Sequence, residues 1–156
     1  ILLDTFKLYI DIANKELKHL IKRADLFCIN FNEARAISGM DGSNLEKMAT
    51  SILDFGPKSI IIKDGKKGSY FFDRKRHFAI KAFPVEDVVD TTGAGDAYIG
   101  GILMGKMRGL SIFDSMKVGA VTASFCIEGV GIDGLLKMNE NEFNRRLLWM
   151  NENHTS

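Results

Sequence analysis

VVDTTGAGDAYIGGIL, residues 88–103, sets a strand end, a glycine turn and a helix start side by side. Val88 and Val89 are β-branched and suit an extended chain. Gly93 and Gly95 interrupt that run, and a helix is expected over Gly95–Arg108. Gly100, Gly101 and Gly105 are small residues that would let a neighbouring helix approach closely. A strand leading through a glycine turn into a helix is a building unit of α/β folds.

The turn has chemical consequences. The first N–H groups of a helix have no partner inside it. Glycines let backbone approach an anion, and the helix dipole adds partial positive charge there. Gly93, Ala94 and Gly95 therefore read as an anion hole. Neither familiar phosphate fingerprint applies. No Lys-Ser/Thr pair follows the glycines, which removes the Walker A loop, and Tyr98 stands where GxGxxG needs its last glycine. Asp96 follows the turn directly. A carboxylate there suits a proton acceptor from an attacking hydroxyl, while the anion hole steadies charge on a moving phosphoryl group. The plainer alternative is that Asp96 only caps the helix.

Outward from this stretch, strands and helices alternate. Ile1–Leu3 reads as a buried strand. A helix is expected over Ile10–Arg23, with Ala13, Leu17, Leu20 and Ala24 at helical spacing. Leu26–Ile29 reads as a strand and Asn32–Ser38 as a short helix ended by Gly39. Ser43 and Glu46 form a capping-box pattern before an apolar face of Leu45, Met48, Ala49, Ile52 and Leu53. Gly56-Pro57 stops that helix. Ser59–Lys63 is a β-branched run, expected to be a central strand buried on both sides. Gly65 and Gly68 bracket a turn into a strand at 69–72, and Asp73–Arg76 turns into another at 78–82. Downstream, helices are expected over Ser111–Ile127, capped by Ser111 with Asp114, and over Asn139–Met150, burying Phe143, Leu147 and Leu148. Residues 151–156 read as a frayed tail. The sum is an α/β domain with a largely parallel sheet and antiparallel strands at one side.

Composition narrows the classes. With 156 residues, 46% apolar and 26% charged, the chain fits a globular domain. Its 21 basic and 20 acidic residues give a net charge of +1, which argues against a nucleic-acid partner. The apolar runs are too short to span a bilayer, and no signal-peptide pattern is present. Cys28 and Cys126 are expected to be buried, reduced thiols of a cytoplasmic protein. His19, His77 and His154 lack zinc-ligand spacing. Met48, Met104, Met107 and Met116 read as core. Lys66, Lys67, Arg74, Lys75 and Arg76 read as a solvated pair of turns.

The string from Val88 to Leu103 closely resembles the C-terminal signature of the ribokinase-like (PfkB) family of carbohydrate and nucleoside kinases. NFNE (Asn30–Glu33) is similar to that family's N-x-x-E motif, and KDGKKG (Lys63–Gly68) to its strand-end G-x-x-G nucleotide loop. All three occur in the family's order. The resemblance implies a three-layer α/β/α fold, ATP and Mg²⁺, and transfer of phosphate to a sugar or nucleoside hydroxyl. It implies Asp96 as the general base and Gly93, Ala94 and Gly95 as the anion hole for the γ-phosphate. Asn30 falls near the ATP phosphates, Glu33 near hydrated Mg²⁺, and Lys63, Gly65 and Gly68 along the nucleotide. Asp90 and Thr92 match positions that bind a monovalent cation such as K⁺ in some members, with carbonyls near Ser124, Ile127 and Gly129 in looser alignment.

Departures from the pattern bound these expectations. Ile29 stands where many members have proline. The family's N-terminal half, with its glycine-rich sugar-binding region and lid, has no counterpart, so residues 1–150 are expected to be the C-terminal, ATP-binding and catalytic part of a larger domain. The substrate, sugar or nucleoside, is left open. A homodimer is compatible with the resemblance, but the lid that often makes that contact is not among these residues. A non-catalytic nucleotide-binding module is the first rival, and a dinucleotide-dependent oxidoreductase, disfavoured by Tyr98, is the second.

Overall fold

The computed structural model describes residues 1–5 and 14–154. The chain divides into two compact units, residues 1–64 with 69–79, and residues 65–68 with 80–156.

The first unit is built on a sheet of strands β1 (Leu2–Asp4), β2 (Leu26–Asn30), β3 (Ser59–Lys63), β4 (Ser69–Asp73) and β5 (His77–Ile80), side by side in that order. β1, β2 and β3 are parallel, with Leu3 opposite Phe27 and Asn30 opposite Lys63. β4 runs antiparallel to β3. The β-branched run thus becomes a central strand. Ile60 and Ile62 enter a core with Phe27, Ile29, Met48 and Ile52, and Ile61, pointing the other way, is equally buried. Truncating one such isoleucine to alanine costs about 2–5 kcal/mol. β1 is only half-buried, at the edge of the sheet formed by the described residues, where a buried strand was expected.

Helices α1 (Asn14–Ile21), α2 (Phe31–Ser38) and α3 (Leu45–Leu53) complete the unit. The expected start of α1, with Ile10 and Ala13, lies outside the described residues. Leu17 and Ala24 are buried as the spacing predicts, but Leu20 is exposed. The cap of α3 differs by one residue from the expected box. Asn44 Oδ1 accepts from the Lys47 N–H at 2.8 Å, while the Ser43 N–H turns back to the Asp41 carboxylate. Asparagine caps as well as serine does, so the neighbouring residue won. In the β4–β5 turn, Arg74 pairs with Asp54 and Arg76 with Asp73, both at 2.9 Å.

The second unit holds a 3₁₀ turn at Gly65–Lys67 and helices α4 (Ala94–Met107), α5 (Ile112–Cys126), α6 (Asp133–Leu136) and α7 (Glu140–Asn153). α4 and α5 meet through glycines. A Cβ on Gly101 would lie 2.7 Å from the Gly119 Cα, and one on Gly105 would lie 2.8 Å from the Ser115 Oγ. Gly100 faces open space and takes no part in the contact. Met48 and Met116 are core, but Met107 is the last residue of α4 and is 88% exposed.

α7 departs most from expectation. It buries Arg146 and Met150 and leaves Leu148 exposed. It also continues through Asn153 where fraying was expected from 151. The His154 ring explains this: Nε2 accepts from the Lys81 N–H at 2.8 Å and Nδ1 lies 3.0 Å from the Met150 carbonyl. Residues 155–156 lie outside the described residues.

Both thiols are free and buried. Burial pushes the Cys28 thiol up to about 12 and raises that of Cys126 as well. An aromatic disulfide reagent at about pH 8 should therefore find no fast-reacting thiol in the native chain. It should find both after unfolding. A fast native reaction would contradict the burial. Among the described residues, no helix is long and apolar enough to cross a membrane.

Candidate active site

In open α/β sheets, ligands gather at the carboxyl ends of parallel strands. Here those ends carry Asp4 on β1, Asn30 on β2 and Lys63 on β3. α2 starts at the same edge. Asn30 Oδ1 accepts from the Glu33 N–H at 2.9 Å, and Glu33 Oε2 accepts from the Asn30 N–H at 2.8 Å. This reciprocal box fixes both side chains named by the N-x-x-E pattern. Glu33 is buried, and that burial pushes its carboxyl up, opposed by the Asn30 N–H and by the Lys63 charge.

Lys63 Nζ stands 3.5 Å from Asp4 Oδ1, both side chains largely covered. Asn30, Glu33 and Lys63 are thus brought together, with Asp4 as a fourth member that sequence reading missed. Its signal was available: an acid closing the first parallel strand of the sheet. A cleft of about 560 Å³ opens beside this cluster, lined by Asn30, Glu33, Arg35 and Met40 among others. Among the described residues no three His, Cys, Asp or Glu side chains converge as a metal cage.

The second unit holds the glycine loop. Gly93 begins α4 in the left-handed region, φ 81°, and no side chain caps that helix. The contrast is internal: Asn30, Asn44, Ser111 and Asn139 each cap their helices with a side-chain oxygen. Gly93, Ala94 and Gly95 therefore form the amino end of a long helix without a side-chain cap, the Ala94 N–H donating to the Thr91 carbonyl at 3.2 Å, and Asp96 lies exposed in its first turn. The loop is held from behind. The Val89 and Asp90 N–H groups donate to the Ile127 carbonyl at 2.8 and 3.3 Å. Asp90 Oδ1 accepts from the Thr92 N–H at 2.9 Å. That bond, with the Thr92 hydroxyl and to a smaller extent the Gly131 N–H, holds the Asp90 carboxyl below the usual carboxylate range. The Ile127 carbonyl, one of the three loosely aligned with a cation site, is thus engaged by two backbone donors.

Gly65 and Gly68 belong to the same unit. Both have positive φ, 52° and 98°. The Gly68 N–H donates to the Gly65 carbonyl at 3.0 Å. A Cβ on Gly68 would lie 2.1 Å from the Ile80 carbonyl oxygen, so only glycine fits.

Comparison with known proteins supplies the context. Residues 2–142 match the model of the pfkB family carbohydrate kinases. A 5-dehydro-2-deoxygluconokinase of Clostridium beijerinckii is 32% identical over 126 residues, covering 80% of this chain and 35% of that protein. A cytidine kinase of Thermococcus kodakarensis is 31% identical over 104 residues, covering 66% of this chain and 37% of that protein. Among solved structures, Arabidopsis thaliana ribokinase complexed with ribose and ATP superposes with a TM-score of 0.74 at 25% identity, covering 83% of this chain and 43% of that one. The chain so spans about a third of the length of these curated relatives. The likeness identifies the three-layer α/β/α fold of ribokinases.

Proposed function

The chain belongs to the pfkB family of carbohydrate kinases, and from that premise we propose that the protein carrying it transfers the γ-phosphate of ATP to a hydroxyl of a sugar. The observation that carries this reading is the uncapped amino end of α4, with Asp96 exposed in its first turn. Donors aimed at developing phosphoryl charge need no rearrangement during the reaction. The Gly93–Ala94–Gly95 turn supplies them, the Ala94 N–H also donating to the Thr91 carbonyl at 3.2 Å, and Asp96 takes the proton of the attacking hydroxyl. Residues 1–150 provide the ATP-binding and catalytic part, with Asn30, Lys63, Gly65 and Gly68 along the nucleotide.

Mg²⁺ fits the donors present. A small hard cation keeps several waters and uses one or two carboxylates with substrate phosphates, so no protein cage is needed. Glu33 would hold its waters, since its Oε2 is engaged by the Asn30 N–H while its second oxygen remains to accept. Bound there, the ion would neutralise phosphate charge. Asp90, its carboxyl held below the usual range by the Thr92 N–H and hydroxyl, would serve a K⁺ ion beside Thr92. A nucleoside acceptor is the second reading, supported by the likeness to a cytidine kinase.

Calorimetric titration with ATP and Mg²⁺ tests the nucleotide half of this proposal. Binding is expected to weaken at least about tenfold without Mg²⁺, and Glu33→Gln should remove most of that difference. NADH binding in place of ATP would instead support a dinucleotide enzyme.

A further inference from the structure

We infer that Arg146, on α7, is a positioning residue for the glycine loop, an inference that rests on the phosphotransfer reading above. Arg146 lies beyond the stretch that matches the family model. Its side chain is only 8% exposed, and a charge so covered requires partners. It has them on one stretch, the last turn of α5 and the two residues that follow it. Nη1 donates to Ser124 Oγ at 2.8 Å, and Nη2 reaches both Glu128 oxygens at 3.0 and 2.8 Å. The guanidinium carbon lies 3.9 Å from the centre of the Phe125 ring. On its outer side Nε donates to Glu142 at 2.8 Å.

The residues so gripped, 124, 125 and 128, bracket Ile127. Its carbonyl is the acceptor for the Val89 and Asp90 N–H groups. Asp90 in turn takes the Thr92 N–H, one residue before Gly93. Cys126, inside the same turn, sets its sulfur 3.6 Å from the Thr92 carbonyl. The turn has little room to shift: a Cβ on Gly134 would lie 1.9 Å from the Phe125 carbonyl oxygen. Arg146 therefore braces, through its grip on residues 124–128, the backbone turn whose Ile127 carbonyl is hydrogen-bonded to the base of the glycine loop. A planar fork can hold Ser124 and Glu128 at once, which an ammonium on a flexible stem cannot reproduce.

The test uses the protein carrying this chain, with turnover measured well below the melting temperature. Arg146→Met and Arg146→Lys are expected to lower kcat about 100-fold, the scale of a displacement of about 1 Å in a reacting constellation. KM for ATP should change far less. Arg145→Met is the control on the same helix. Among the described residues its guanidinium hydrogen-bonds Glu142 alone, and kcat should stay at the wild-type value. If Arg146→Met lowers the melting temperature but leaves kcat unchanged in the folded protein, the residue is structural only and the inference fails. Should that variant not fold, Glu128→Gln decides: reduced kcat with intact folding supports this bracing, and unchanged kcat overturns it. Asp96→Asn measured alongside separates the two levels. If it too leaves turnover unchanged, the phosphotransfer reading has failed; if it alone removes turnover, only the role of Arg146 has.

Discussion

Asp96→Asn is expected to lower kcat by about 10²–10⁴-fold, the contribution of a positioned general base, while affinity for ATP with Mg²⁺ changes less than about threefold. The substitution keeps the size of the side chain and removes its ability to accept a proton at neutral pH. Because Asp96 is exposed in the first turn of α4, the fold loses little. The lost interaction between a carboxylate and the helix dipole is about 0.3–1 kcal/mol. A residue that only capped the helix would behave differently, since asparagine caps as well as aspartate. Turnover would then be preserved. Measuring kcat, nucleotide affinity and melting temperature together separates the two roles.

Gly101→Leu is expected to destabilise the second unit by about 3 kcal/mol, at the upper end for overpacking a close contact. Its added Cβ would meet the Gly119 Cα at 2.7 Å, and backbone atoms cannot rotate away as a side-chain tip can. α4 and α5 would have to separate. α4 carries the Gly93–Asp96 loop and α5 ends in the turn behind it, so activity should fall together with stability. Gly100→Ala is the matched comparison. Nothing lies within 4 Å of that Cβ, and alanine should add about 0.5–1 kcal/mol by helix propensity. Urea unfolding reads both. Equal effects of the two substitutions would mean that the helix contact does not depend on Gly101.

Local chemistry made much of the fold legible. The run Ser59–Lys63 has too many β-branched residues for a half-exposed strand, and β3 is buried on both sides. Gly39, Gly65, Gly68 and Gly93 all fall where the chain needs positive φ. What escaped the sequence was tertiary. Apolar spacing alone put Leu148 inside α7, but Arg146 is the buried residue, because Glu128, Ser124 and Phe125 are waiting for it. Asp4 and Lys63 meet only because β1 and β3 flank β2, the two residues being 59 positions apart in sequence. Ser43 lost the cap to Asn44 for a local reason that two adjacent good capping residues cannot reveal. The nine residues from Asp90 to Tyr98 suggested the phosphotransfer reading proposed above, since a helix amino end without a side-chain cap, followed by a carboxylate, suits that chemistry.

The central claim is that this loop moves the γ-phosphate of ATP onto an alcohol. The most direct measurement incubates the protein carrying this chain with ATP and Mg²⁺ against a panel of sugars and nucleosides, following ADP and phosphorylated product together. ADP and a phosphate ester should appear in equal amounts with at least one acceptor, and both should vanish in Asp96→Asn. ATP consumption that yields only inorganic phosphate, or no ADP with any acceptor, would contradict the claim.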